Sequence, residues 1–391
     1  MADATTDRRI AILDGYRALA VLAVLLYHYT VRWAPPHDPS TRLPGGAVFS
    51  GFLPFAYGWL GVELFFIISG FVIAMTLARC RNPVDFALRR FARLWPPLLV
   101  AATLTTIVVH LIGPPEWQVN PLSYLTSILL LGPDVMAKLT HQPGIYWVDG
   151  AYWSLWVELR FYILAAIIYL FGRRRRFVLD WLVFQAALVL LSGIADRTGT
   201  LEAVPQFLLR DYLPYFTIGI CVFEIYRKGL ERRLALAGAL FGGALVLWSA
   251  AWQQGLFEDI SAPVSIVANL AIFALFALFL RRSPALRFFR GAWIVALGRA
   301  SYSLYLIHQH IGIVVMAALI AAGLPYLAAL PATIVLVVGA AFLLFRFVEV
   351  PGKALVLGAT RGLAAGVDRK LPWLRYDPAP KAGDVPDDYG M

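Results

Sequence analysis

Charge is what this sequence is short of. Only 15% of its 391 residues are Asp, Glu, Lys or Arg, against 60% hydrophobic residues and a mean hydropathy of +0.70. A water-soluble domain of this length needs far more polar surface, so that class is excluded. Cysteine is scarce too: Cys80 and Cys221 are the only two, both near helix ends expected to face the cytoplasm, which argues against a disulfide. The six histidines are scattered, with no pair at zinc-like spacing beside a third ligand, so no metal site is expected. No glycine-rich phosphate loop follows a strand, and no nucleophile elbow is present. No internal repeat is apparent, which weakens the reading of a transporter built from inverted repeats. The first apolar run is long and lacks a small-residue cleavage site after it, so it is read as a retained span and not a signal peptide.

What the sequence has in abundance is apolar runs of membrane-crossing length. The expected fold is an all-α polytopic membrane protein with about ten transmembrane helices and no fused soluble domain. The spans are placed at 10–31, 59–78, 94–112, 151–171, 177–194, 207–226, 234–252, 263–280, 293–320 and 327–347. The run 121–131 is too short to cross and is read as a re-entrant or interfacial piece. The net charge of +10 raises the question of nucleic acid, but the basic residues sit between apolar runs, where they set membrane orientation. With the N-terminus inside, 25 Lys and Arg fall in inside segments and five in outside loops, which predicts that both termini are cytoplasmic. Residues 1–350 form the expected membrane domain, and 351–391 a polar cytoplasmic tail without fixed structure at its end.

Ionisable residues inside spans are functional candidates by default. In the first span Arg17 and His28 are eleven residues apart, hence on one face and about 16 Å apart along the axis. Asp14 precedes Arg17 by one turn; a capping pair with a snorkelling Arg is an equally open reading. His28, beside Tyr27 and Tyr29, is either an interfacial histidine or a functional one. Arg89, Arg90 and Arg93 stand where the third span enters from the cytoplasm. Arg90 and Arg93 are neighbours on one face, suited to cradle phosphate at a helix N-terminus or simply positive-inside charge. Ser154, Glu158 and Tyr162 form an i, i+4, i+8 stripe, with Arg160 pointing elsewhere. Glu158 lies at a depth similar to that of His28, and a pair between them is expected. The second span brings Glu63 near its outer end and Ser69-Gly70 near its middle, the latter two read as close-packing residues. In the ninth span Ser301, Tyr305 and His308 share a face, as a cavity lining would, while His310 falls on another.

Taken in order, "LDGYRALAVLAVLLYHY", "GVELFFIISGFVIA", "RRFARLWP", "YWSLWVELRFY" and "ASYSLYLIHQ" resemble the acyltransferase 3 family of bacterial membrane O-acyltransferases, over about residues 10–350. The resemblance implies an enzyme of the bacterial inner membrane, dependent on acyl-CoA, with acetyl-CoA the expected co-substrate and no permanently bound cofactor. It implies a glycan or glycolipid hydroxyl as acceptor, or, in some members, a small molecule such as a macrolide. The family's Arg and His of the first span map onto Arg17 and His28, its paired arginines onto Arg90 and Arg93, its fourth-span Glu onto Glu158, and its ninth-span Tyr and His onto Tyr305 and His308. On that basis His28 is expected as general base or transient acyl carrier with Glu158 orienting it, and Arg17, Arg90 and Arg93 as the acyl-CoA site. Asp14, Glu63, Ser69, Ser154, Tyr162, Tyr305 and His308 are channel or acceptor-side candidates. Ala18 stands where the family usually has Gly, and His310 where many members have Pro, which bears on the helix shape near His308. The loops 32–58 and 113–150 carry Trp33, Trp117, Tyr146 and Trp147, suited to sugar rings or to interfacial anchoring. A lipid-linked glycan exporter is the rival reading.

Overall fold

Hydrocarbon offers backbone N–H and C=O groups no partner, so a chain this apolar satisfies them within helices. The computed structural model describes residues 10–35, 37–38, 43–49, 51–172, 176–200, 202–252, 261–371 and 374, and these contain helices, turns and loops with no strand. Arg8, Arg9, Arg42, Arg173–Arg175 and the tail beyond residue 374 lie outside the described residues. The main helices are α1 (Ala11–Tyr27), α2 (Gly61–Leu77), α3 (Pro83–Ile112), α4 (Pro121–Ile128), α5 (Trp153–Phe171), α6 (Phe177–Thr198) and α7 (Leu213–Tyr226). They continue with α8 (Arg232–Trp252), α9 (Ala262–Leu280), α10 (Ala292–Ile307), α11 (His310–Ala321), α12 (Tyr326–Leu344), α13 (Val350–Ala359) and α14 (Arg361–Lys370).

The centre belongs to α1 and α2, the most deeply buried of the crossing helices, with α10 packed along α1 and α7 along α2. Small residues set these contacts. A Cβ on Gly70 of α2 would lie 2.2 Å from the Phe216 carbonyl oxygen, and one on Gly298 of α10 would lie 1.8 Å from that of Asp14. The packing role read for Gly70 is therefore what the fold uses. Cys80 and Cys221 are both buried and form no disulfide with each other.

Among the described residues, eight helices are long and apolar enough to cross a membrane. The two other expected spans differ. The sixth is only the 14-residue α7, about 21 Å long and short of a full hydrocarbon thickness. The ninth is not one helix: α10 and α11 meet at 76° across His308 and Gln309. The third begins eleven residues before the span read from hydropathy, at Pro83, with the Asn82 side chain accepting the Asp85 N–H as N-cap. Arg90 and Arg93 thus sit two to three turns inside α3, and the helix N-terminus takes no part in any cradle they form. The tenth runs on from α12 through a π-helical turn at Phe345–Glu349 into α13, so the body of the protein passes the boundary drawn at residue 350. α13 and α14 then fold along α3. The short α4 fits the interfacial reading of 121–131; its Ser123 and Ser127 hydroxyls accept the N–H groups of Tyr146 and Val148, which stitches the outer loop down.

Candidate active site

At the end of the bundle expected to face the cytoplasm, a basin of about 220 Å³ opens between α1, α2, α3, α10 and α13. Its lining is strongly cationic: Arg17, Arg79, Arg89, Arg90, Arg93, Arg299 and Lys353, with Asp14 the one carboxylate among the described residues. Above it lies a second cavity of about 120 Å³, which shares Arg17, Val72, Arg90 and Arg93 with the basin. The arginines therefore form the neck between two stacked chambers. The upper chamber is walled by Ser69, Ser154, Glu158, Tyr162, Ser301, Tyr302 and Tyr305 together with apolar Phe65, Phe66 and Leu155.

Each neck arginine is held differently. Arg17 donates from Nη1 to Asp14 Oδ1 at 2.7 Å, one turn back on α1, while Arg299 Nε lies 3.9 Å from the other oxygen of the buried Asp14. Arg90 donates to the Thr76 hydroxyl at 3.1 Å and lies against the rings of Phe86 and Tyr162; its Nε is buried without a hydrogen-bond partner among the described residues. Arg93 pairs with Glu349, whose second oxygen accepts the Ser303 hydroxyl at 2.7 Å, and its guanidinium lies over the Tyr302 ring. Glu349, which holds Arg93 at the neck, is a residue that the sequence reading missed. An acidic residue in the apolar run "FLLFRFVEV" was the available signal.

Glu158 does not pair with His28. Its Oε1 accepts from Ser69 Oγ at 2.6 Å and from Tyr162 OH at 2.5 Å. The i, i+4 spacing put Tyr162 within reach, and the close approach of α2 and α5 supplied Ser69, which is thereby a cavity residue and not merely a packing one. Of the other candidates, Ser154 and Tyr305 hydroxyls bond each other at 2.7 Å and close the roof of the upper chamber over the Ala151 carbonyl. Glu63 lines neither chamber; it is buried, with Oε2 lacking a hydrogen-bond partner among the described residues.

His28 finds its partner 280 residues away: its Nδ1 lies 3.2 Å from Nε2 of His308. Backbone carbonyls fix how this pair carries its protons. His308 Nδ1 is 2.8 Å from the Tyr305 carbonyl, and His28 Nδ1 is 2.9 Å from that of Val24. A carbonyl only accepts, so each neutral imidazole carries its proton on Nδ1. The one His28 Nδ1–H is then shared between the Val24 carbonyl, the nearer acceptor, and His308 Nε2, and the lone pair of His28 lies on Nε2. His28 also opens a π-helical turn, His28–Arg32, as Glu349 closes another.

The break beside His308 needs no proline. It exposes backbone groups that a straight helix would satisfy. Tyr152 OH donates to the Leu306 carbonyl at 3.1 Å and Tyr29 OH to that of His308 at 2.7 Å. Asp149, wholly buried, accepts the His310 N–H at 2.8 Å on one oxygen and the Ala151 N–H at 2.9 Å on the other. Asp149 too was missed, because a loop carboxylate carries no periodic signal. Outside the break the His310 ring stacks on Trp117 with centroids 4.2 Å apart, and Trp117 meets Trp33 edge-on at 4.9 Å. Neither chamber is lined by His28 or His308; the Tyr305 ring lies between, its centroid 5.2 Å from that of His308.

Comparison with known proteins gives the family. A family model for an acyltransferase domain matches residues 10–346. Over 274 residues the chain is 29% identical to the exopolysaccharide production protein ExoZ of Rhizobium meliloti (strain 1021), covering 69% of this chain and 81% of that protein. Over 389 residues it is 25% identical to the O-acetyltransferase OatA of Staphylococcus aureus, covering 88% of this chain but only 57% of the longer relative. No solved structure matches. The chain, a multi-pass α-helical membrane protein, therefore belongs to the acyltransferase 3 family.

Proposed function

We propose that this acyltransferase moves an acyl group, acetyl above all, from cytoplasmic acyl-CoA to a hydroxyl of a glycan or glycolipid at the bacterial inner membrane. The observation that carries this reading is the stack itself: a cationic basin, an arginine neck, a polar chamber, and beyond it a histidine pair with one free lone pair. The basin suits the phosphates of CoA, with Arg17, Arg90 and Arg93 at the neck. The chamber suits the neutral pantetheine arm, which brings the thioester beneath Tyr305. Parting of the Tyr305–Ser154 hydrogen bond opens the last step to the histidines.

His28 Nε2 then takes the proton of the acceptor hydroxyl as that oxygen attacks the thioester carbonyl. The carbon–sulfur bond breaks, and CoA leaves as thiol with the proton returned by the imidazolium. His308 accepts from the His28 Nδ1–H throughout and favours the developing charge. A route through a transient acyl-His28 uses the same lone pair as nucleophile. The acceptor arrives from the opposite side, where Trp33, Trp117 and His310 offer ring faces to a sugar. The names of ExoZ and OatA support the acceptor class and the acetyl group respectively.

The test uses membranes carrying the protein, acetyl-CoA labelled in the acetyl group, and the membrane's own glycans. His28→Ala is expected to lose labelled product by about 10²- to 10⁴-fold, the usual worth of a general base, or more if an acyl intermediate forms. Wild-type transfer by an inserted His28→Ala protein would sink the scheme.

A further inference from the structure

With its expected partnership to His28 gone, Glu158 is a carboxylate without an assignment in the middle of the donor path. Its Oε1 is pinned by two hydroxyls, from Ser69 on α2 and from Tyr162 one turn on in α5. Its Oε2 makes no hydrogen bond among the described residues, and it is not one of the buried oxygens sealed without a partner, so it is open to the chamber that Glu158 lines. Glu158 is also the only carboxylate of that chamber among the described residues.

We propose that Glu158 is a donor-binding residue whose free oxygen accepts an amide N–H of the pantetheine arm. The inference rests on the acyl-CoA reading given above and adds to it a contact above the phosphates. Chemistry sorts the donor by sign along the path. The phosphates are drawn to the cationic basin and repelled by a carboxylate deeper in, whereas the arm is neutral and carries two amide N–H groups. Phe65, Phe66 and Leu155 give those donors nothing, and an amide N–H left unpaired among such walls is penalised. A fixed carboxylate oxygen supplies an acceptor there and makes a charge-assisted bond, stronger than the neutral Ser and Tyr hydroxyls of the chamber can offer. Arg90, whose guanidinium lies 5.8 Å from the centre of the Tyr162 ring, keeps a compensating positive charge close by.

The experiment needs no acceptor. Binding of CoA and of adenosine 3′,5′-bisphosphate, which lacks the arm, is measured by calorimetry on the purified full chain in detergent. In Glu158→Gln the amide oxygen still takes the Ser69 and Tyr162 hydroxyls, but an N–H now faces the arm. That variant is expected to bind CoA about 10- to 100-fold more weakly and to keep its affinity for the bisphosphate, which also certifies its fold. Tyr162→Phe, which loosens Glu158 without removing it, is expected to give a smaller loss for CoA alone. An unchanged CoA affinity in Glu158→Gln, or an equal loss for both ligands, overturns the proposal. Wild-type protein that holds the bisphosphate as tightly as CoA overturns it too while leaving the basin's role intact. Wild-type protein that binds neither ligand takes down the acyl-CoA reading and this inference with it.

Discussion

The Arg93–Glu349 pair allows a quantitative test of how the neck is held. Glu349 is 2% exposed and Arg93 24%, so the two partners stand to lose different amounts when separated. Arg93→Ala strands a buried carboxylate with only the Ser303 hydroxyl for company, a situation that costs about 3–5 kcal/mol. Glu349→Ala takes one carboxylate from a guanidinium that is a quarter exposed and keeps the face of Tyr302, and the loss is expected to be smaller, on the order of 1–3 kcal/mol. The double variant leaves no orphaned charge and is expected to be less destabilised than the sum of the singles by about 1–3 kcal/mol. Equilibrium unfolding in mixed micelles measures all three. Equal losses for the two single variants, or strict additivity in the double, would refute the reasoning that desolvation of Glu349 dominates this pair.

Two further outcomes follow from the geometry. Asp149→Asn retains the shape but has one oxygen for two backbone donors, so it is expected to lose about 1–3 kcal/mol of stability; if the α10–α11 break holds His308 in place, acyl transfer falls with it, and full activity in a folded Asp149→Asn protein would show that it does not. Gly298→Ala introduces a methyl 1.8 Å from the Asp14 carbonyl oxygen, which must push α1 from α10 and so displace Arg17 and His28 together; a variant with wild-type thermal stability would contradict the contact.

Much of the architecture was legible from composition alone. Hydropathy gives the membrane class and eight of the ten spans, because hydrocarbon selects for local sequence; the lysines and arginines predict orientation for the same reason. Spacing places Arg17 and His28 on one face and brings Ser154, Glu158 and Tyr162 into one chamber, since a helix converts sequence distance into direction. The short α7 and the broken α10–α11 were not legible: both keep the hydropathy of a full span, and the break is stabilised by Tyr29, Tyr152 and Asp149, which are remote in sequence.

What only the tertiary structure decided is who pairs with whom. His28 meets His308 across 280 residues, Arg93 meets Glu349 across 256, and Glu158 turns to Ser69 across 89 and not to the histidine that its place in the sequence suggested. Depth in the bilayer is a one-dimensional quantity that a sequence carries approximately. Which groups touch is set by which helices pack together, and similar depth in the sequence does not by itself bring two ionisable groups into contact. That is why the residue types of the site were found in the sequence while their partnerships, and with them the tautomer of His28 and the free oxygen of Glu158, were fixed by the fold.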